Sequence, residues 1–267
     1  MYTAPFRYLR PKTLAEAQAL FRDSSDARYI AGGQTLIPTM KQRLAAPAEL
    51  IDIGRMAFLT FIRREGAMLV IGAGTPHADV AISRDVRSAI PALASLAGQI
   101  GDPAVRHKGT LGGSIVNNDP AADYPAGIVG LGATVRTTNR SIAADEFFTG
   151  MFETALEPGE IVTEIAFPVP RRAGYAKFPN PASRYATVGV FVADFAEGVR
   201  VAVTGAAPCV FRSTEMEAAL AKNFTPDAIA KIATSPEGLN ADLFASAEYR
   251  AHLVGVMAKR AILAAML

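Results

Sequence analysis

Hydrophobic residues recur at helical spacing near the start of the chain and predict a first helix there. Four apolar side chains between residues 14 and 21 fall on one face of a helix. Thr13, with Glu16 three residues later, forms a capping box that would begin this helix. Residues 7–10 lie ahead of it and predict a short edge strand that ends at a proline.

The next segment changes from a β pattern to a helical one across two glycines. Residues 28–31 predict a short strand, Gly32-Gly33 break it, and residues 36–43 continue as a helix with a proline in its first turn. A turn of this kind leaves backbone N–H groups free at a helix N-terminus, where they carry partial positive charge. The segment is therefore a candidate phosphate cradle, although the same pattern also occurs in simple tight turns.

The middle of the chain alternates short strands with helices. Residues 50–53 predict a buried strand, and residues 58–62 with 68–71 predict a strand pair. Thr75 precedes a proline and predicts an N-cap with proline at the first helical position. His77 follows in that first turn, and we interpret it as a surface residue.

Composition shifts near residue 171, and the pattern after it is strands followed by helices. Residues 188–195 and 199–203 predict two paired strands. Thr214 with Glu217 forms a second capping box, and a long helix is expected from Ser246 to the end of the sequence. Strands followed by helices predict an α+β module here, and the domain boundary is placed near residue 171.

Composition excludes several classes of function. The 267 residues, half of them hydrophobic, suit one or two globular domains. Lys and Arg number 27 against 25 Asp and Glu, without a basic block, so nucleic-acid binding is not expected. Cys209 is the one cysteine, which rules out an internal disulfide or a cysteine-held iron–sulfur cluster. The three histidines lack metal-ligand spacing, and no apolar run reaches the roughly 18 residues of a membrane span. We expect no metal site, no membrane span and a cytoplasmic location.

Residues 101–126 concentrate the residue types that bring backbone close to a ligand. Gly109, Gly112 and Gly113 lie beside hydroxyl side chains, and the stretch has too few large apolar residues to suggest core. Together with the first glycine turn, it would offer N–H donors to two linked phosphates, as in a dinucleotide. Neither turn fits the Rossmann or P-loop signature. Asp123 could accept hydrogen bonds from ribityl or ribose hydroxyls, whereas residues 117–119 are interpreted as local turn caps.

Three segments carry a resemblance to a known family. Residues 31–41 (AGGQTLIPTMK), 110–114 (TLGGS) and 118–126 (NDPAADYPA) resemble the FAD-binding medium subunits of the molybdenum hydroxylases. The resemblance spans essentially the whole chain. It implies a two-part FAD-binding domain of the vanillyl-alcohol-oxidase (PCMH) type at 1–170, with subdomains of about 1–55 and 56–170. A C-terminal α+β domain like that of the carbon monoxide dehydrogenase flavoprotein would follow at 171–267.

The same resemblance implies which residues bind FAD. Asp123 would bind the polar chain of the flavin, Leu156 and Ile161 would flank the isoalloxazine, Lys177 would lie near its polar edge, and Tyr185 would stack on the ring or close over it. The pyrophosphate contacts would be Ala31, Gly32, Gly33, Gln34, Thr35, Thr110, Gly112, Gly113 and Ser114. For Lys177, physical reasoning agrees, since a cation there favours the reduced anionic flavin. The alternative is a solvated strand lysine.

This sequence departs from the family pattern at three positions. Gln34 stands where many relatives have His, and Ser114 and His107 stand where many have Asn. Gln34 and Ser114 keep hydrogen-bonding capacity, so FAD binding is expected to survive. We interpret Arg106, His107 and Lys108 as a surface that could meet a partner subunit.

The resemblance implies an electron-transfer subunit. FAD would take electrons from [2Fe–2S] clusters of a small partner and pass them to an external acceptor, while the molybdenum cofactor would lie on a large subunit. The unit would be a heterotrimer or a dimer of heterotrimers, with no residue of this chain acting on the organic substrate. Two alternatives stay open: a self-contained flavin oxidase of the same fold, and a cofactor-free structural or assembly subunit.

Overall fold

Residues 2–267 are described by a computed structural model that mixes helices with four sheets. The first sheet is parallel, in the order β1-β3-β2, and α1 packs on it through Ala17 against Ile51. As the capping box predicts, the Thr13 hydroxyl accepts the Glu16 N–H at 3.1 Å. The elements are β1 Arg7–Leu9, α1 Leu14–Asp23, β2 Ala27–Ile30, α2 Leu36–Lys41 and β3 Glu49–Asp52.

The second sheet has five antiparallel strands, in the order β4-β5-β10-β6-β7, and helices cover one of its faces; β8 and β9 form a separate hairpin. The strands are β4 Ile62–Glu65, β5 Met68–Gly72, β6 Thr134–Thr137, β7 Ser141–Ala143, β8 Phe148–Gly150, β9 Glu153–Thr154 and β10 Val162–Pro168. The helices are α3 His77–Ile82, α4 Arg84–Ala89, α5 Pro91–Gly98, α6 Pro103–Arg106, α7 Leu111–Asn117, α8 Tyr124–Gly130 and α9 Ala144–Phe147.

Two local predictions in this part are wrong. Residues 58–62 do not form a strand: Ala57–Leu59 is a 3-10 turn, and the strand begins at Ile62. Thr75 does not cap α3, because its hydroxyl donates to the Phe61 carbonyl at 3.1 Å and is thereby tied to the preceding chain. In both cases a contact between neighbouring segments replaces the local hydrogen bond that the sequence pattern suggests.

The end of the 101–126 stretch is core, which corrects the expectation that it is not. Every residue of α8 is buried, and Tyr124 is among the largest fully buried side chains. Gly127 and Gly130 let this helix lie against Leu96 and Phe191. Small residues here permit close packing rather than approach to a ligand.

The third sheet is antiparallel, in the order β11-β12-β13-β14, and α11 lies across it. β12 is buried on both faces: Val190 points towards the helices that follow, whereas Phe191 joins the core of the second sheet. The elements are β11 Arg172–Pro179, β12 Ala186–Phe195, β13 Gly198–Thr204, β14 Phe211–Arg212, α10 Thr214–Lys222, the 3-10 turn Pro226–Ile229 and α11 Ala247–Ala265.

Both helix starts predicted for this part agree with the structure, since α10 begins at Thr214 and α11 directly after Ser246, but the capping box at Thr214 is wrong. Ser246 caps α11 by accepting the Tyr249 N–H at 3.2 Å. Glu217 does not close a capping box, because its carboxylate accepts hydrogen bonds from the Val201 N–H at 2.9 Å and from Arg212. The α+β class is confirmed. Within residues 2–267, no helix is long and apolar enough to cross a membrane.

Candidate functional site

A cavity of about 800 Å³ lies where the two glycine turns meet the turn between β11 and β12. Its volume falls in the upper part of the range of roughly 300–1,000 Å³ that is typical of ligand sites. The sequence-predicted residues that line it are Ala31, Gly32, Gly33, Gln34, Thr35, Thr110, Gly112, Gly113, Ser114, Asp123, Ile161 and Tyr185. The fold therefore brings twelve of the fourteen predicted residues to one cavity.

The first glycine turn presents free backbone donors. Residues 31–35 connect β2 to α2, and none of their five N–H groups donates to another protein group within residues 2–267. Gly33 has φ +69, a conformation that favours glycine. A run of N–H groups without protein partners on a cavity wall is suited to binding an anion such as a diphosphate.

Most of the backbone N–H groups of the second glycine turn already donate to oxygen atoms of the protein. The Gly112 N–H donates to the Ala73 carbonyl at 2.8 Å, and the Gly113 N–H donates to the Thr110 hydroxyl at 3.1 Å. The Ser114 N–H donates to the Thr110 carbonyl at 3.0 Å. The sequence predicts N–H donors from both turns, but the N–H groups of these three residues are already bonded within the protein.

The second turn instead provides space. A Cβ on Gly32 would lie 2.0 Å from the Lys108 carbonyl oxygen and 2.8 Å from Gly109 Cα, so the two turns are in direct contact. A Cβ on Gly113 would meet the Thr110 hydroxyl at 2.8 Å and, apart from the adjacent backbone of its own helix, no other atom of the described chain within 4 Å. A ligand held by the first turn can thus lie against bare backbone of the second.

His77 is buried on the cavity wall, which corrects its interpretation as a surface residue. The residue is 4% exposed, and its backbone N–H donates to the Gly109 carbonyl at 3.0 Å. Burial, with the positive charge of Arg106, lowers the pKa of His77 to about 4. Its Nδ1 has no hydrogen-bond partner in the described chain, and neither has the hydroxyl of Tyr124, whose ring centroid is 5.4 Å away. A neutral imidazole therefore lines the cavity.

Asp123 and Lys177 form a buried ion pair. Their side chains are 4% and 3% exposed, and Lys177 Nζ lies 2.8 Å from Asp123 Oδ1. The ammonium group also donates to the carbonyls of Gln99 and Arg184, and the Tyr175 hydroxyl donates to Asp123 at 2.5 Å. Burial raises the pKa of the Asp123 carboxyl, and the charge of Lys177 offsets part of this rise. The pair joins the second sheet region to the third.

This arrangement changes the interpretation of Lys177. The Lys177 ammonium group donates hydrogen bonds to three protein oxygens, which leaves it no free N–H. Lys177 is therefore neither a solvated strand lysine nor a free donor at the cavity. Within the described chain it does not line the cavity, and neither does Leu156, which packs against the main core. Asp123 lines the cavity, but the acceptors of its carboxylate are already shared with Lys177 and Tyr175.

Tyr185 lies at the mouth of the cavity, where it is 42% exposed. Burial of its hydroxyl and the carboxylates of Asp119 and Asp123 raise the pKa of Tyr185.

The basic segment at residues 106–108 is only partly available to a partner subunit. His107 and Lys108 are exposed, whereas Arg106 donates to the carbonyls of its own loop at 3.0 and 3.3 Å.

Several lining residues escaped the sequence analysis, among them Ile100, Val116 and Phe152. Asn118 was interpreted as a local turn cap, but its amide donates to the Gly150 and Glu153 carbonyls, more than 30 residues away. Asp119 does cap its own turn through the Ala121 N–H. No sequence pattern predicts hydrogen bonds such as those of Asn118, which join residues more than 30 positions apart. Residues 2–267 contain no group of three or more His, Cys, Asp or Glu placed to hold a metal.

Comparison with known proteins gives full-length matches. Residues 4–170 match the model of the FAD binding domain in molybdopterin dehydrogenase, and residues 173–265 match the CO dehydrogenase flavoprotein C-terminal domain. The chain is 37% identical to the carbon monoxide dehydrogenase medium chain of Hydrogenophaga pseudoflava, over 97% of this chain and 96% of that one. It is 33% identical to the glyceraldehyde dehydrogenase medium chain of Sulfolobus acidocaldarius, over 98% of both.

Solved structures agree with these matches. A chain of the reconstituted CO dehydrogenase from Oligotropha carboxidovorans superposes with a TM-score of 0.92 at 34% identity, covering 99% of both chains. A chain of quinoline 2-oxidoreductase from Pseudomonas putida 86 gives a TM-score of 0.89 at 27% identity, covering 99% of this chain and 98% of that one. The resemblance stated from the sequence is confirmed.

Proposed function

The chain belongs to the FAD-binding medium subunits of the molybdenum hydroxylases, and from this premise we propose that it is the electron-transfer subunit of such a complex. It would pass electrons from [2Fe–2S] clusters of a small partner, through FAD, to an external acceptor. The large partner would carry the molybdenum cofactor and act on the organic substrate. We also propose the division into residues 1–170, with parts of about 1–55 and 56–170, and 171–267.

One observation carries the assignment of this cavity to FAD. Five consecutive N–H groups, those of residues 31–35, have no partner within the described chain and line a cavity of about 800 Å³. These donors match a diphosphate, and bare backbone at Gly113 leaves room beside them. Bound FAD supplies one- and two-electron redox chemistry.

The residues of this chain have separate tasks in that proposal. Residues 31–35 would bind the diphosphate, and Thr110 to Ser114 would face it with close-packed backbone. Ile161 and Tyr185 would enclose the flavin end. Lys177, fully occupied by Asp123 and two carbonyls, would hold the cavity wall in place rather than touch the flavin.

The cysteine count supports placing the iron–sulfur clusters of the proposed complex on a partner subunit. A [2Fe–2S] cluster is held by four thiolate or imidazole ligands, and this chain has one cysteine. Relatives whose names call them medium chains support an assembly with other chains. We propose a heterotrimer or a dimer of heterotrimers, located in the cytoplasm.

The first test is the flavin content of the purified protein, with Gly113→Asp as the variant. A carboxylate at Gly113 would enter the cavity and repel a diphosphate, so the variant should lose FAD while the wild type shows a flavin absorption spectrum. Gly255→Asp is the control, because no atom apart from the adjacent backbone of its own helix lies within 4 Å of a Cβ at that position. Normal FAD content in Gly113→Asp, or no bound or reconstitutable FAD in the wild type, would refute the assignment.

A second measurement separates electron transfer from self-contained oxidase activity. The FAD-loaded chain, purified without partner subunits, should not be reduced by organic substrates of molybdenum hydroxylases. Its flavin should be reduced when the reduced iron–sulfur partner is added. Substrate-driven reduction of the isolated chain would favour the oxidase.

A further inference from the structure

Phe152 has an unfavourable backbone conformation at the mouth of the cavity. Its φ is +57, in the left-handed region that bulky side chains rarely adopt, and its side chain is 55% exposed. The residue lines the cavity, as do the exposed side chains of Val116 and Tyr185. A glycine would satisfy this backbone without strain, so an aromatic ring here needs an explanation other than folding.

The conformation of Phe152 is fixed by Asn118. The Asn118 amide nitrogen donates to the carbonyls of Gly150 and Glu153 at 2.7 and 2.8 Å, on either side of the hairpin tip. The backbone carbonyl of Asn118 accepts the Phe152 N–H at 3.1 Å. Asn118 is itself 1% exposed and ends α7, the helix that begins at the second glycine turn. The ring is therefore held at a set position relative to that turn.

We propose that Phe152 is a contact residue for the dinucleotide, stacking on one of its planar rings at the mouth of the cavity. This inference rests on the proposed function, because it takes FAD as the occupant. An exposed aromatic side chain on a rigid turn offers a flat apolar face with little conformational entropy to lose. Both the adenine and the isoalloxazine are planar and suit such a face.

The test is Phe152→Gly, whose effects on stability and on affinity should have opposite signs. Relief of the left-handed strain should raise Tm of the flavin-free protein by about 2–4 °C, because little buried surface is lost with a half-exposed ring. The Kd for FAD should rise by roughly 5- to 150-fold, the range typical of losing one aromatic stacking partner. Phe152→Tyr keeps the ring and should keep the wild-type Kd.

Met151→Gly is the matched control. Met151 lies on the same hairpin tip with 48% of its side chain exposed, but among the described residues it is not part of the cavity lining. Its replacement should leave the Kd for FAD unchanged, since no ring contact is removed.

Titration of ADP into the flavin-free protein, purified with any subunits that accompany it, identifies the ring. If Phe152→Gly weakens ADP and FAD equally, Phe152 meets the adenine; if only FAD is weakened, it meets the isoalloxazine. Either result supports the proposal. A wild-type protein that binds FAD, together with a folded Phe152→Gly variant of unchanged Kd, would overturn it. Absence of FAD binding in the wild type would instead refute the proposed function.

Discussion

Replacing Lys177 with methionine should expose the cost of an uncompensated carboxylate inside the protein. Lys177 Nζ lies 2.8 Å from Asp123 Oδ1, and both side chains are almost fully buried. Methionine keeps an unbranched chain of similar length but removes the charge and its three donors. Removing one partner of a buried ion pair typically costs about 3–5 kcal/mol, a large part of a total stability of about 5–15 kcal/mol.

The loss should depend on pH in a defined direction. Burial raises the pKa of the Asp123 carboxyl, and without Lys177 this pKa rises further, above its value in the unfolded chain. Between the two pKa values the folded state binds more protons, so lowering the pH stabilises the Lys177→Met variant. The difference in unfolding free energy between variant and wild type should be largest near pH 8 and shrink towards pH 5.

The measurement is urea unfolding of the flavin-free chain, followed by circular dichroism at several pH values. Lys231→Met, an exposed position, is the matched control and should stay within about 0.5 kcal/mol of wild type. Asp123→Asn and the double variant complete a cycle in which the double loss should be smaller than the sum. A Lys177→Met variant as stable as Lys231→Met at pH 8, or an additive cycle, would refute a charge-pairing role.

Two further predictions concern the glycine turns and the residue packed behind them. The pKa of buried His77 is lowered to about 4, so on acidification the unfolded chain binds this proton before the folded protein does. Between pH 6.5 and pH 4, the unfolding free energy of the wild type should therefore fall by up to about 3 kcal/mol more than that of His77→Phe. Parallel pH profiles of the two proteins would contradict this. Gly32→Ala should cost about 1–3 kcal/mol and reduce FAD content, since the added Cβ would lie 2.0 Å from a backbone carbonyl, whereas Gly255→Ala, in open space, should not destabilise. Unchanged FAD content and Tm in Gly32→Ala would show that the two turns are not packed as described.

Local hydrogen bonds could be predicted from the sequence, and long-range ones could not. The caps at Thr13 and Ser246 form as expected because donor and acceptor lie three residues apart. Thr75 and Glu217 also belong to capping patterns in the sequence, but each hydrogen-bonds to a residue that the fold brings close, 14 and 16 positions away. A capping residue keeps its local bond only where tertiary structure offers nothing better, and that condition is not visible in the sequence.

In the candidate site, too, local features could be predicted from the sequence and long-range contacts could not. Gly32 and Gly113 could be selected from the sequence because close backbone approach restricts residue type. His77 and Phe152 could not, because their place on the cavity wall depends on α3 packing against the second turn and on the β8–β9 hairpin packing against the end of α7. Lys177 was selected for its charge, but which anion it neutralises is decided by burial beside Asp123.

The two glycine turns look equivalent in the sequence, yet their backbone donors are in different states. Backbone N–H groups need a hydrogen-bond partner, and the five groups at residues 31–35, which are half-buried or exposed, must find theirs in water or a ligand. At Gly112 and Gly113 the same requirement is met within the protein, and the missing side chains serve close packing and space instead. Substitutions in the first turn should therefore lower affinity through displaced donors, in addition to the loss of stability expected at Gly32. Substitutions at Gly113 should act through volume and charge placed in the cavity, and through displacement of the Thr110 hydroxyl, which lies 2.8 Å from the added Cβ.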